Sequence, residues 1–194
     1  MKYYILTFFI FLSCLLVICD MSNANEHNEN VIILLAQVIH KYQPILDPVV
    51  VNKIANAIIV EATKNDFSPY LLTAIMWVES QFKTTAKSSK GAMGLMQVRY
   101  LVWKEDPIIK ENDINVDNIY WIDININCGA RILRKYFDES NGSIVTALNR
   151  YHTGENELPK DVKYYEVDYV NKIMIKAYDF ADEVRRISIA GVAQ

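Results

Sequence analysis

The stretch Ser68–Phe82, SPYLLTAIMWVESQF, decides the fold class. Ser followed by Pro is a helix start: the serine can cap, and proline's fixed φ suits the first helical position. Beyond it, Leu72, Ile75, Glu79 and Phe82 are separated by three and four residues, which returns them to one face of a helix running to about Phe82. The same punctuation recurs along the chain. Asn30 caps a run from Val31 to about Lys41 that Pro44 closes, and Asp47-Pro48 opens a helix to about Lys64 that ends at Asn65. A polar loop of Lys, Thr and Ser spans Lys83 to Gly91, and a helix is expected from Gly94 to Glu105, stopped by Asp106-Pro107.

Residues 108–118 read as loop, and Ile119–Phe137 carries apolar residues at helical spacing. Its start, Ile122–Asn127 (IDININ), alternates, so a short strand stays open there. Ser143 caps a helix through His152 that Gly154 ends, and a long helix from Val162 to about Arg186 precedes a frayed tail. The expectation is a single all-α domain of about seven helices.

Composition bounds the function. With 52% hydrophobic residues, only 6 Gly and 5 Pro, the 194-residue chain can fill a core and is neither disordered nor collagen-like. Its net charge of −3 leaves no general basic surface to neutralise phosphates, which argues against nucleic acid as a partner. Cys14, Cys19 and Cys128 leave an odd thiol, so no disulfide framework is expected. Cys128 falls among apolar helical positions and reads as a small buried residue.

The first residues carry an address. Lys2 precedes an unbroken apolar run from Tyr3 to Ile18, and Ser22-Asn23-Ala24 offers a small-residue cleavage site. We read residues 1–24 as a signal peptide and the protein as exported. Two other readings stay open: an uncleaved anchor, and a lipoprotein in which Leu16-Val17-Ile18-Cys19 serves as the modified box with an atypical Ile before the Cys.

Chemistry concentrates in two segments. Glu79 is a carboxylate set in an apolar stripe, where desolvation would favour the proton-bearing form that a general acid needs; a Glu at the stripe's edge, satisfied by a cation or backbone donor, is the plain alternative. Shortly after comes Gly91-Ala92-Met93-Gly94-Leu95-Met96-Gln97-Val98. Its paired glycines allow close backbone approach, and Gln97 beside apolar Met96 suits a sugar, which has an apolar face and a polar rim. A tight loop leading into a core helix would read the same way.

Taken together, Glu79-Ser80-Gln81-Phe82 and GAMGLMQV resemble the catalytic signature of the soluble (SLT) type lytic transglycosylases, relatives of goose-type lysozyme. Ala147-Leu148-Asn149 sits where that family carries Ala-Tyr-Asn, and Tyr169-Val170-Asn171-Lys172-Ile173 is similar to its Tyr-Val-x-x-Val element. There are departures: Leu148 replaces the Tyr, and Tyr151 stands where a Gly is common after the Asn.

The resemblance implies a lysozyme-like catalytic domain over residues 48–186, with 25–47 as an N-terminal helical extension and 187–194 as a tail. It makes Glu79 the catalytic acid/base. Ser80 would line the cleft, Met96 and Gln97 would contact the glycan, Asn149 would face the sugar, and Tyr169 would hydrogen-bond toward the catalytic carboxyl. It implies peptidoglycan glycan strands as partner, cleaved between N-acetylmuramic acid and N-acetylglucosamine by a monomer that uses no cofactor and no metal.

A lysozyme-like hydrolase and a non-catalytic glycan-binding component of an envelope-spanning assembly are the competing functions. Asp106, Asp113, Asp117 and Asp123 are available as a second carboxylate, but each reads as a turn, cap or solvated residue. His27, His40 and His152 are scattered, and His152 reads as a cap or surface residue.

Export gives the first prediction. N-terminal sequencing of the mature protein should find Asn25; a retained Met1 would establish the anchor, and a lipid-modified Cys19 the lipoprotein.

Overall fold

The computed structural model describes residues 28–154 and 164–192. The expected signal segment with its cleavage site and the expected helix start at Val162 lie outside the described residues. Eight helices make up the described fold: α1 (28–42), α2 (Pro48–Lys64), α3 (Pro69–Ser80), α4 (Tyr100–Trp103), α5 (Pro107–Lys110), α6 (Ile122–Glu139), α7 (Ile144–Thr153) and α8 (Tyr164–Val192).

The centre is α3. Every residue from Leu71 to Met76 is buried, so this helix has no solvent face over that span. Thr73 is tolerated there because its hydroxyl donates to the Pro69 carbonyl at 2.8 Å. Both α2 and α8 pack on α3, α6 packs on α2, and α7 bridges α6 and α8. Burial of Leu72 and Ile75, each fully inaccessible, contributes about 1.5–3 kcal/mol per side chain. From α1, Leu35, Val38 and Ile39 join the same core, and the Tyr42 ring meets Trp77 and Phe180 edge-on at 5.1 and 5.0 Å.

Several boundaries follow the local signals. Asp47 caps α2 by accepting from the Val49 N–H at 2.7 Å. Ser143 caps α7, its Oγ accepting from the Thr146 N–H at 3.4 Å, and Gly154 ends that helix with φ of 69°. Cys128 is inaccessible, and burial pushes its thiol up to about 12.

Other boundaries differ for identifiable reasons. The first helix is already running at residue 28, so Asn30 lies inside it and caps nothing. Helix α3 stops at Ser80, because Gln81 and Phe82 both take left-handed φ, 52° and 60°. That turn drives the Phe82 ring into the core beside Trp77 and Phe180, and burial of the aromatic offsets the backbone strain.

No helix forms from Gly94. Met93 and Val98 instead exchange both backbone hydrogen bonds, at 3.0 and 2.9 Å, around a tight turn in which Gly94 and Gln97 have φ of 73° and 50°. Helix is recovered only at Tyr100–Trp103. Asp106-Pro107, read as a stop, is also a start: Asp106 caps α5 by accepting from the Ile108 N–H at 2.9 Å, within the stretch expected to be loop. IDININ is helical, and α8 continues to Val192.

The 93–98 hairpin is held by a residue that sequence alone did not single out. Asn125 of α6, fully buried, donates to the Met93 carbonyl at 2.9 Å and the Ile119 carbonyl at 2.8 Å. Its Oδ1 accepts from the Met96 N–H at 2.7 Å. Gly94 is required opposite it, because any Cβ there would collide with the Asn125 amide.

Asn125→Ala would leave the Ile119 carbonyl and the Met96 N–H without these partners and the Met93 carbonyl with only the Val98 N–H. Urea unfolding should show a loss of about 2–4 kcal/mol with helix content retained. A loss below about 0.5 kcal/mol would mean that the hairpin is held by something else.

Candidate active site

Glu79 lies in the last turn of α3, just beyond the fully buried span, and is half-buried. It opens into a cleft of about 400 Å³ whose described walls include Gln97, Arg99, Trp103, Tyr136, Tyr151 and His152. Burial holds the Glu79 carboxyl above the ordinary carboxylate range. The Tyr169 hydroxyl, donating to its Oε1 at 2.5 Å from α8, pulls the value partway back. Tyr169 is itself buried, and its phenol is driven well above the usual range by burial and by the neighbouring carboxylate, so it stays a proton donor.

From α7 the His152 ring stacks on Tyr169, with centroids 4.1 Å apart and planes at 20°. Tyr151 sends its buried hydroxyl to the Met96 carbonyl at 2.8 Å, tying α7 to the hairpin. Gly129 of α6 makes that contact possible: a Cβ there would come within 2.6 Å of the Met96 side chain and 2.9 Å of the Tyr151 hydroxyl.

The expected site residues separate into two groups. Glu79 and Gln97 line the cleft, and Tyr169 reaches Glu79. The Gln97 amide donates to the Gly94 and Ala86 carbonyls at 2.9 and 3.2 Å, which fixes its orientation. Ser80, expected to line the cleft, is buried and donates back to the Met76 carbonyl at 3.0 Å. The Met96 side chain, expected to touch glycan, is fully inaccessible; its backbone serves as the anchor for Asn125 and Tyr151.

Asn149, expected to face the sugar, is buried in α7 and is not among the lining residues; its Oδ1 has no hydrogen-bond partner among the described residues. The α7 residues at the cleft are Tyr151, His152 and Thr153. Three positions later, Arg150-Tyr151-His152-Thr153-Gly154 offers the Tyr and the Gly of an Ala-Tyr-Asn-x-Gly order, with Arg150 in the place of Ala and His152 in the place of Asn. Gly154 supplies the left-handed φ that a glycine there allows. The Gly was the signal available in the sequence, and it marked this register.

The four aspartates stay away from the cleft. Asp106 caps α5 and pairs with Lys135 at 2.5 Å, and Asp123 is exposed and pairs with Lys53 at 3.0 Å. Asp113 and Asp117 are exposed in the turns before α6. Among the described residues lining the cleft, Glu79 is the one carboxylate.

The raised Glu79 carboxyl makes stability depend on pH. Below the ordinary carboxylate range both folded and unfolded chains hold the proton, and the group is neutral to stability. As pH rises the unfolded chain ionises first, so stability falls until the higher folded value is passed. Glu79→Gln should match the wild-type Tm in acid and exceed it at neutral pH, by about 2–4 °C for each kcal/mol relieved. Tyr169→Phe removes a donor to the carboxylate and should extend the fall to higher pH. A Tm difference that does not change with pH would contradict a buried titrating carboxyl.

The model of the transglycosylase SLT domain family matches residues 56–172, three-fifths of the chain. A solved structure titled as an inactive Glu-to-Gln variant of the lytic transglycosylase Slt from Pseudomonas aeruginosa is similar, with a TM-score of 0.56 and 22% identity. The match covers 66% of this chain and 24% of that one, so the likeness is one of fold and spans about a quarter of the other protein's length. With helical architecture, cleft and family model in agreement over the same residues, the chain belongs to the SLT transglycosylase family and carries its all-α, lysozyme-like domain.

Proposed function

We propose that this protein is an exported peptidoglycan lytic transglycosylase that uses Glu79 as its single acid and base. The observation that carries the reading is Glu79 itself: a carboxyl raised by burial, open to a cleft, hydrogen-bonded by a buried phenol, and without a second carboxylate among the described lining residues. A group that holds its proton toward neutral pH is suited to protonate a leaving oxygen.

The chemistry balances without water. Protonated Glu79 gives its proton to the oxygen linking N-acetylmuramic acid to N-acetylglucosamine, and the C1–O bond breaks. The N-acetyl carbonyl of the muramic residue attacks C1, a substrate-assisted route that needs no protein nucleophile. Glu79, now a carboxylate stabilised by the Tyr169 hydroxyl, takes the proton from the 6-hydroxyl. Oxygen 6 then displaces the acetamido oxygen from C1, closing the 1,6-anhydro ring. An attacking group already on the sugar has the advantage of proximity over a separately bound water. That the solved Pseudomonas protein is an inactive Glu-to-Gln variant supports giving a glutamate this role.

Glu79→Gln keeps the shape of the side chain and removes the transferable proton, so release of fragments from sacculi should fall at least ~100-fold with circular dichroism unchanged. Mass spectrometry of wild-type digests should find 1,6-anhydromuramic ends, about 20 mass units lighter than borohydride-reduced muramic ends because water and the two added hydrogens are absent. Reducible ends as the main product would mean hydrolysis, and turnover by Glu79→Gln within a few-fold of wild type would remove Glu79 from the chemistry.

A further inference from the structure

From Ser80 to Lys104 the sequence holds Lys83, Lys87, Lys90, Arg99 and Lys104 and no acidic residue, in a chain whose net charge is −3. This run builds one wall of the Glu79 cleft, to which it contributes Lys90, Gln97 and Arg99. Most cations elsewhere among the described residues are tied to carboxylates, as Lys53 is to Asp123 at 3.0 Å and Lys41 to Glu183 at 2.5 Å. Among the described residues, no carboxylate pairs with Lys90 or Arg99.

Arg99 is placed rather than loose. Its guanidinium lies against the end of α7, where a Cβ on Gly154 would come within 2.8 Å of its Nη1. The side chain is half-buried, and its Nε is buried with no hydrogen-bond partner among the described residues. A partly desolvated guanidinium with an unmet donor is unfavourable by itself and becomes favourable when an anion enters beside it. A guanidinium also matches the two oxygens of a carboxylate.

We propose that Arg99, assisted by Lys90, is a carboxylate-binding subsite of the cleft, so that the protein selects glycan strands bearing free carboxylates over neutral ones. The proposal rests on reading the cleft as a glycan site. Two groups on such a strand offer the carboxylate: the lactyl side group of a sugar that carries no peptide, or the peptide where one is attached.

The test uses full-length mature protein carrying Glu79→Gln, so that binding is read without turnover. Its Kd is measured for peptide-bearing strands, for strands stripped of peptide that keep the lactyl carboxylate, and for methyl-esterified forms of both. At least one free-carboxylate strand should bind about 10-fold more tightly than its ester, equivalent to about 1.4 kcal/mol. Preference shown only by peptide-bearing strands assigns the subsite to the peptide carboxylates; preference shown only by stripped strands assigns it to the lactyl group, whose carboxyl is an amide wherever a peptide is attached; preference shown by both means that the subsite takes a carboxylate from either.

Adding Arg99→Gln should shrink the ratio to about twofold, Arg99→Lys should restore part of it, and Lys90→Gln, on the exposed loop, should lower it by about threefold. Equal binding of acid and ester by the Glu79→Gln protein overturns the proposal. So does an Arg99→Gln variant that weakens both to the same degree, or a ratio unmoved by Arg99→Gln and Lys90→Gln. Wild-type digestion runs in parallel. Charge preference without cleavage would remove the transglycosylase reading and keep the subsite, whereas cleavage without charge preference would do the reverse.

Discussion

The enclosure of α3 is the constraint on which the rest depends. A helix buried on every side from Leu71 to Met76 cannot shift or rotate without emptying the core, so the residue that follows one turn later is fixed in space. That residue is Glu79. Its carboxyl lines the cleft while close enough to the core to be desolvated. Packing thus sets the proton affinity of the group as well as its position. Tyr169 reaches it from α8, the helix that packs along α3, so one helix pair supplies both the carboxyl and the donor that steadies its charged form.

The opposite wall adds polar anchors to apolar burial. Asn125 satisfies three backbone groups around the 93–98 hairpin, and Tyr151 satisfies the Met96 carbonyl. Each contact removes a buried polar group from the unpaired state, and together they tie α6, α7 and the hairpin into one surface. Glycines 94 and 129 are needed because those anchors approach the backbone too closely for a Cβ. Met96, whose side chain is inaccessible, thereby acts through its peptide groups, while the adjacent Gln97 faces the cleft.

Charge is distributed unevenly around this frame. The carboxylates that neutralise surface cations lie on α2, α6 and α8 and in the loop before α5, whereas the Lys83–Lys104 run along the cleft has none of its own. A chain with net negative charge can therefore still present a local cationic edge at its site, which whole-chain charge does not reveal.

By itself the sequence determined the helical class, the starts at Pro48 and Pro69, the end of α7 at Gly154, and a carboxyl in an apolar stripe at Glu79; its partner Tyr169 was expected only from the family resemblance. Caps, proline and helical spacing act over a few residues, so they can be read without knowing the neighbours. The end of α3 at Ser80 was not legible, since left-handed φ at Gln81 and Phe82 is compensated by an aromatic cluster that joins Trp77 of α3 to Phe180 of α8. Nor was the hairpin at Met93–Val98, which owes its shape to an asparagine about 30 residues away. Only the tertiary structure decided which residues face the cleft. It turned Ser80, Met96 and Asn149 inward and brought Arg99, Tyr151 and His152 to the wall, because a side chain's exposure depends on the helices packed around it, and those come from distant parts of the chain.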